Sequence, residues 1–131
     1  MAILGIGNDI IEISRIAKNI EQYGQKFLDR LFTNQEQAYC LQYRQSDRHF
    51  AGRFAAKEAI VKAFGTGFGT QVAWTDLEIL NDPSGKPHVR LSAALELRLP
   101  PDTQIFISIS HCKEYATACA IWTDEAKHQS W

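Results

Sequence analysis

The spacing of hydrophobic positions changes along this chain, and each change predicts an element. Residues 2–13, "AILGIGNDIIEI", are rich in isoleucine but too short and too glycine-broken for a helix, so they predict a buried strand. From Ser14 onward Ile16, Ile20, Tyr23, Phe27 and Leu31 recur at helical spacing, with Gly24 as a kink or break. Thr33 to Glu36, "TNQE", is a capping-box pattern that opens a second helix running through Cys40 and Tyr43. A long helix follows "QSDRHF" and ends near Gly65 to Gly69. On its wheel Phe50, Phe54, Val61 and Phe64 fall within an arc of roughly 80°, which predicts the buried face.

The second half is of another kind. "WTDLEIL" and "PHVRLS" predict strands around the turn "NDPSGK", and "SAALELRL" predicts a short helix stopped by Pro100 and Pro101. "QIFISISH" alternates, with Ile105, Ile107 and Ile109 on one face and Phe106, Ser108 and Ser110 on the other. "EYATACAIWT" can pair with it as a hairpin, and "DEAKHQSW" reads as a frayed tail. The expected class is α+β, one domain over residues 1–131, with an antiparallel sheet packed on one long helix plus shorter helices.

Composition narrows the partners. A net charge of -1 gives no broad basic field for nucleic acid. Cys40, Cys112 and Cys119 are odd in number and form no CxxC pair, so neither a disulfide framework nor a zinc site is indicated. They read as buried small hydrophobes in a reducing compartment. The apolar N-terminus is interrupted by Asn8, Asp9 and Glu12, lacks a basic leader and is too short to span a bilayer. A cytoplasmic protein is the expectation.

The charges inside these apolar patterns carry the candidate chemistry. Lys57 falls within the buried arc of the long helix, and Glu58 lies about 40° beyond its edge. Arg53 and Lys57 are like charges at i,i+4, whereas Glu58 and Lys62 form an i,i+4 pair of the favourable order. Two readings stand. Lys57 snorkels while Glu58 and Lys62 make a surface ion pair, or an anion with a metal neutralises the set. Asp9 poses the same choice: it ends the strand and caps the next helix, or it is paired or bound to a metal. Two carboxylates completed by water and substrate phosphates are a usual way to hold Mg²⁺. His111 stands at a strand end, as a solvated residue, a phosphate donor or, less readily, a base. "GTGFGT", Gly65 to Thr70, follows a helix and so is not a Walker A loop. Arg15, Lys18, Lys26 and Arg30 decorate the first helix without forming one stripe, as a solvated face or a dock for an acidic partner.

"GIGNDIIEISRI" at Gly5 to Ile16, "RFAAKEAIVKAFGTG" at Arg53 to Gly67 and "ISISHCKEYATACAI" at Ile107 to Ile121 together resemble the bacterial holo-acyl carrier protein synthases, the short branch of the phosphopantetheinyl transferases. "FTNQEQAYC" and "SGKP" are similar to further family segments, so the resemblance covers nearly the whole chain. It implies Mg²⁺-dependent transfer of 4′-phosphopantetheine from coenzyme A to a serine of apo-acyl carrier protein. Adenosine 3′,5′-bisphosphate is released, in support of fatty acid biosynthesis. It also implies a homotrimer with sites at the subunit interfaces, and neither a nucleic-acid nor a membrane partner.

By matching position, the resemblance makes Asp9 and Glu58 the metal carboxylates and places Lys62 at the pyrophosphate. Arg53 and His111 go to the nucleotide end with its 3′-phosphate. Lys57 and Gly65 become further coenzyme contacts, and Arg15 docks the acidic carrier. Glu58, or a water held by Asp9, is then the base in preference to His111. Asn8 stands where a small residue such as Thr is expected, and strand alternation turns its side chain away from Asp9. A nucleotide- or protein-binding module would need the basic residues but not Asp9 and Glu58 together. A metal-dependent phosphohydrolase would call for a denser acid or histidine cluster.

Overall fold

The computed structural model describes residues 2–124, so the tail expectation for residues 125–131 lies outside the described residues. Strand β1 (Ala2–Glu12) leads into helices α1 (Ile13–Tyr23), α2 (Gln25–Leu31), α3 (Asn34–Leu41) and the long α4 (Ser46–Phe64). A 3₁₀ turn at Trp74–Asp76 precedes the hairpin β2 (Leu77–Asn81) and β3 (Pro87–Leu91). Helix α5 (Ala93–Glu96) and strands β4 (Thr103–His111) and β5 (Tyr115–Asp124) complete the order. The single antiparallel sheet expected is two: a three-stranded sheet in the order β1-β5-β4, and the separate β2-β3 pair. The α+β class stands.

Local chemistry accounts for the element boundaries. Gly24, at φ 59°, breaks the expected first helix into α1 and α2. The capping box forms, with the Thr33 hydroxyl accepting from Glu36 N and Glu36 Oε1 accepting from Thr33 N. Gly65, at φ 77°, ends α4 in a left-handed turn in which Thr66 N donates to Val61 O and Gly65 N to Lys62 O.

Helix α4 is the centre of the molecule, and it is buried more widely than its phenylalanines predict. Phe50 and Val61 are buried while Phe54 and Phe64 are half-buried. Ala55, Ala56, Ala59 and Ala63 are buried as well. Gly52, Ala56, Ala59 and Ala63 recur at helical spacing on the side about 180–240° round from Phe50, and this stripe of small residues faces the three-stranded sheet. A β-carbon on Gly5 would lie 1.9 Å from Ala63 O, and one on Gly7 would lie 2.0 Å from Ala59 O. Glycine in β1 and alanine in α4 thus let the two backbones meet.

That close seating corrects the expectation of a buried β1. Gly7 and Ile11 face the helix, but Ile6 and Ile10 on the other side are 71 % and 65 % exposed. Ile6, Ile121 and Phe106 stand in register across the sheet as an open apolar row. Only Cys40 of the three cysteines is buried, against the expectation for all three, and burial pushes its thiol up to about 12.

Candidate active site

Asp9, on the helix-facing side of β1, sits with its carboxylate 3.0 Å from Lys62 Nζ, which also donates to Asn8 O at 3.0 Å. The Asn8 side chain is exposed on the opposite face, as alternation requires. Glu58 is close enough for the Asp9 charge to matter. Burial, then Asp9, raise its proton affinity above the usual carboxylate range, and Lys62 partly offsets this. Lys62 therefore bridges to β1 rather than forming the simple surface pair with Glu58. Asp9, Glu58 and Lys62 form one constellation at the β1 edge of the sheet.

Two partly buried carboxylates, one of which makes the other's charge costlier, suit a hard divalent cation. Among the described residues no cluster of three or more His, Cys, Asp or Glu side chains forms a fuller cage. The remaining ligands would be substrate oxygens and water, the habit of Mg²⁺.

Arg53 and His111 also come together, but elsewhere. They line a cavity of about 200 Å³ with Tyr39, Arg48, His49 and Asn81. The Arg53 guanidinium donates to Asn81 Oδ1 and lies 4.2 Å over the Tyr39 ring, while its Nε is buried with no partner. Arg53 and Glu58 are five residues apart, roughly 140° round the helix. Asp9 is on the β1 edge and His111 on the β4 edge, so α4 stands between the two constellations. Sequence reading missed Arg48, His49, Tyr39 and Asn81, which no common spacing ties to Arg53.

Lys57 is a correction. It is 0 % exposed, and its ammonium donates to Glu36 Oε1 at 2.7 Å, Leu31 O at 2.6 Å and Trp74 O at 3.1 Å. All three of its donors are taken, so the coenzyme contact expected of it is not available. It does not snorkel either; its counter-ion is the capping residue Glu36, also 0 % exposed, which accepts from Ile79 N at 2.8 Å. Desolvation lowers the proton affinity of Lys57, and Glu36 opposes that.

Gly65 sits three residues beyond Lys62, and its N–H is already bonded within the turn, so it has no free amide to offer a coenzyme phosphate. Arg15 is exposed in the first turn of α1. Lys26 and Arg30 flank a groove of about 520 Å³ that Tyr23, Phe27 and Leu31 line, a placement the wheel did not anticipate.

The model of the 4′-phosphopantetheinyl transferase superfamily matches residues 5–120. The chain belongs to that family. A holo-[acyl-carrier-protein] synthase of Protochlamydia amoebophila is 58 % identical over 120 residues, covering 92 % of this chain and 98 % of that one. Its counterpart in Chlamydia pneumoniae is 50 % identical over 121 residues with the same coverage. Among solved structures, the Bacillus anthracis holo-(acyl-carrier-protein) synthase in complex with CoA (3′,5′-ADP) superposes with a TM-score of 0.79 at 39 % identity, covering 92 % of this chain and 96 % of that one. The Neisseria meningitidis synthase gives a TM-score of 0.83 at 31 % identity, over 93 % and 99 % of the two chains. The chain is thus an enzyme of the phosphopantetheinyl transferase class, with that family's α+β fold. Among the described residues no helix is long and apolar enough to cross a membrane.

Proposed function

We propose that this enzyme transfers 4′-phosphopantetheine from coenzyme A to a serine of apo-acyl carrier protein, in the cytoplasm and in support of fatty acid biosynthesis. The observation that carries the reading is the meeting of Asp9, Glu58 and Lys62 on the seam between β1 and α4. A module that only bound nucleotide would have no use for a half-buried carboxylate whose charge is made costlier by a second one.

Asp9 and Glu58 are the residues that would hold Mg²⁺, which when bound supplies charge neutralisation and Lewis-acid polarisation of the pyrophosphate. Glu58, or a water held by Asp9, would take the serine hydroxyl proton. Lys62 brings a positive charge to the place where the departing phosphate gains a negative one. Arg53 and His111 hold the nucleotide end. Incubation with apo-acyl carrier protein, coenzyme A and Mg²⁺, followed by intact mass, should reveal one added phosphopantetheine per carrier. An unmodified carrier overturns the reading.

The separation of the two constellations supports a homotrimer. A coenzyme touching Lys62 and Arg53 of one chain would have to pass round α4, whereas adjoining copies can present opposite sheet edges to one ligand. The row Ile6, Ile121 and Phe106 offers an apolar face for such contact. Light scattering should give about three times the 14.8 kDa chain mass, and Ile6→Asp should abolish both assembly and transfer. An active monomer refutes this.

Arg15 and the basic rim of the α1–α2 groove support docking of an acidic carrier. Arg15→Glu should raise the KM for carrier protein several-fold and leave that for coenzyme A nearly unchanged. Added salt should raise the carrier KM of the wild type. A carrier KM indifferent to both changes removes Arg15 from the docking surface.

A further inference from the structure

The cavity at the start of α4 holds more cationic chemistry than Arg53 and His111 supply. Arg48, His49, Arg53 and His111 all line it, and no carboxylate does. Among the described residues no side-chain hydrogen bond or ion pair engages the Arg48 guanidinium. Arg53 is 4 % exposed, and its Nε has no partner. His49 is held by its ring, stacked on Tyr43 at 3.9 Å between centroids and 20° between planes, with the His111 ring 5.7 Å away.

Four nitrogen-bearing side chains around one small cavity repel one another when charged, and nothing acidic in the wall relieves them. Burial, then His111, Arg53 and Arg48, make the His49 imidazolium harder to form than usual. The missing partner is an anion. Two guanidinium forks and two imidazoles are the donor set for the several acceptor oxygens of a phosphate monoester.

We propose that Arg48 and His49 complete, with Arg53 and His111, a phosphate-monoester site, and that these two residues set this enzyme's preference for a 3′-phosphorylated adenine nucleotide. The proposal rests on the assignment of Arg53 and His111 to the nucleotide end, and it adds two residues that neither that assignment nor the sequence motifs include. Tyr39 and Tyr43 act as positioning residues: one carries the Arg53 guanidinium on its face and the other orients the His49 ring. Asn81, which also donates to Gly85 O at 2.9 Å, fixes Arg53 from the side of the β2–β3 turn.

The test is calorimetric binding of adenosine 3′,5′-bisphosphate and of AMP to the intact protein, with no turnover needed. Wild type should prefer the bisphosphate. Arg48→Gln should shrink that preference about tenfold, the worth of one charge-assisted contact. His49→Phe keeps a ring to stack on Tyr43 and should shrink the preference about threefold, the smaller worth of a neutral hydrogen bond. Both variants should bind AMP as wild type does and melt at the same temperature. A wild-type preference that survives both substitutions overturns the proposal while leaving Arg53 and His111 in place. Equal loss of both ligands assigns the two residues to the fold and likewise overturns it. A wild type without any preference overturns the nucleotide assignment itself, and this proposal with it.

Discussion

Asp9→Ala and Glu58→Gln should each lower transfer by about a hundredfold or more at limiting Mg²⁺, the scale of several kcal/mol of lost charge stabilisation. The fold should survive both. Lys62, the partner that Asp9→Ala strands, is half exposed and can return to water. For Glu58 the expected sign is more specific. Its folded-state proton affinity is raised, so ionising it costs stability once the pH exceeds the ordinary glutamate range, and the cost vanishes below that range. Glu58→Gln removes the charge and should melt at or above the wild-type temperature near neutral pH, while wild type closes the gap as the solution is acidified. Normal turnover by either variant at low Mg²⁺ would remove the carboxylates from the site. A clear fall in the melting temperature of Glu58→Gln would mean that the carboxylate is stabilised by contacts of its own.

Lys57→Met should have its effect on stability instead. Removing the ammonium leaves the Glu36 carboxylate buried with two backbone N–H donors and no counter-charge. Breaking a buried pair in this way costs about 3–5 kcal/mol, a large share of the roughly 5–15 kcal/mol that holds a typical domain together. The double variant Lys57→Met, Glu36→Gln removes the stranded charge but leaves one acceptor oxygen where Thr33 N and Ile79 N used two, so it should recover part of the loss. Urea denaturation of the two variants measures both terms. A Lys57→Met protein of normal stability with a raised KM for coenzyme A would instead return Lys57 to the coenzyme.

Lys57 and Glu36 mark where sequence reading succeeded and where it stopped. The capping box of Thr33 to Glu36 was legible because its geometry is local. That the same glutamate would meet a lysine 21 residues away was not, because the pairing depends on how α3 and α4 pack. The phenylalanine arc of α4 was legible as one buried side. The opposite side is built from glycine and alanine, which carry little hydrophobic signal, so the sheet-facing surface escaped notice. Asp9 and Glu58 were found because a carboxylate amid apolar residues demands an explanation. Arg48 and His49, in a helix start where polar residues are ordinary, made no such demand.

The contact of Gly5 and Gly7 with the Ala63 and Ala59 carbonyls has a bearing on how the enzyme fails. Sites carried on surface loops commonly come apart before the protein does, because loops open at little cost. Here the strand that carries Asp9 and the helix that carries Glu58 touch backbone to backbone at Gly5 and Gly7, with no strand side chain between them at those two points. The backbones that carry the two carboxylates cannot part unless the central helix lifts off its sheet, and that is the unfolding of the whole molecule. Heating should therefore leave no range of temperature in which an intact fold carries a broken metal site.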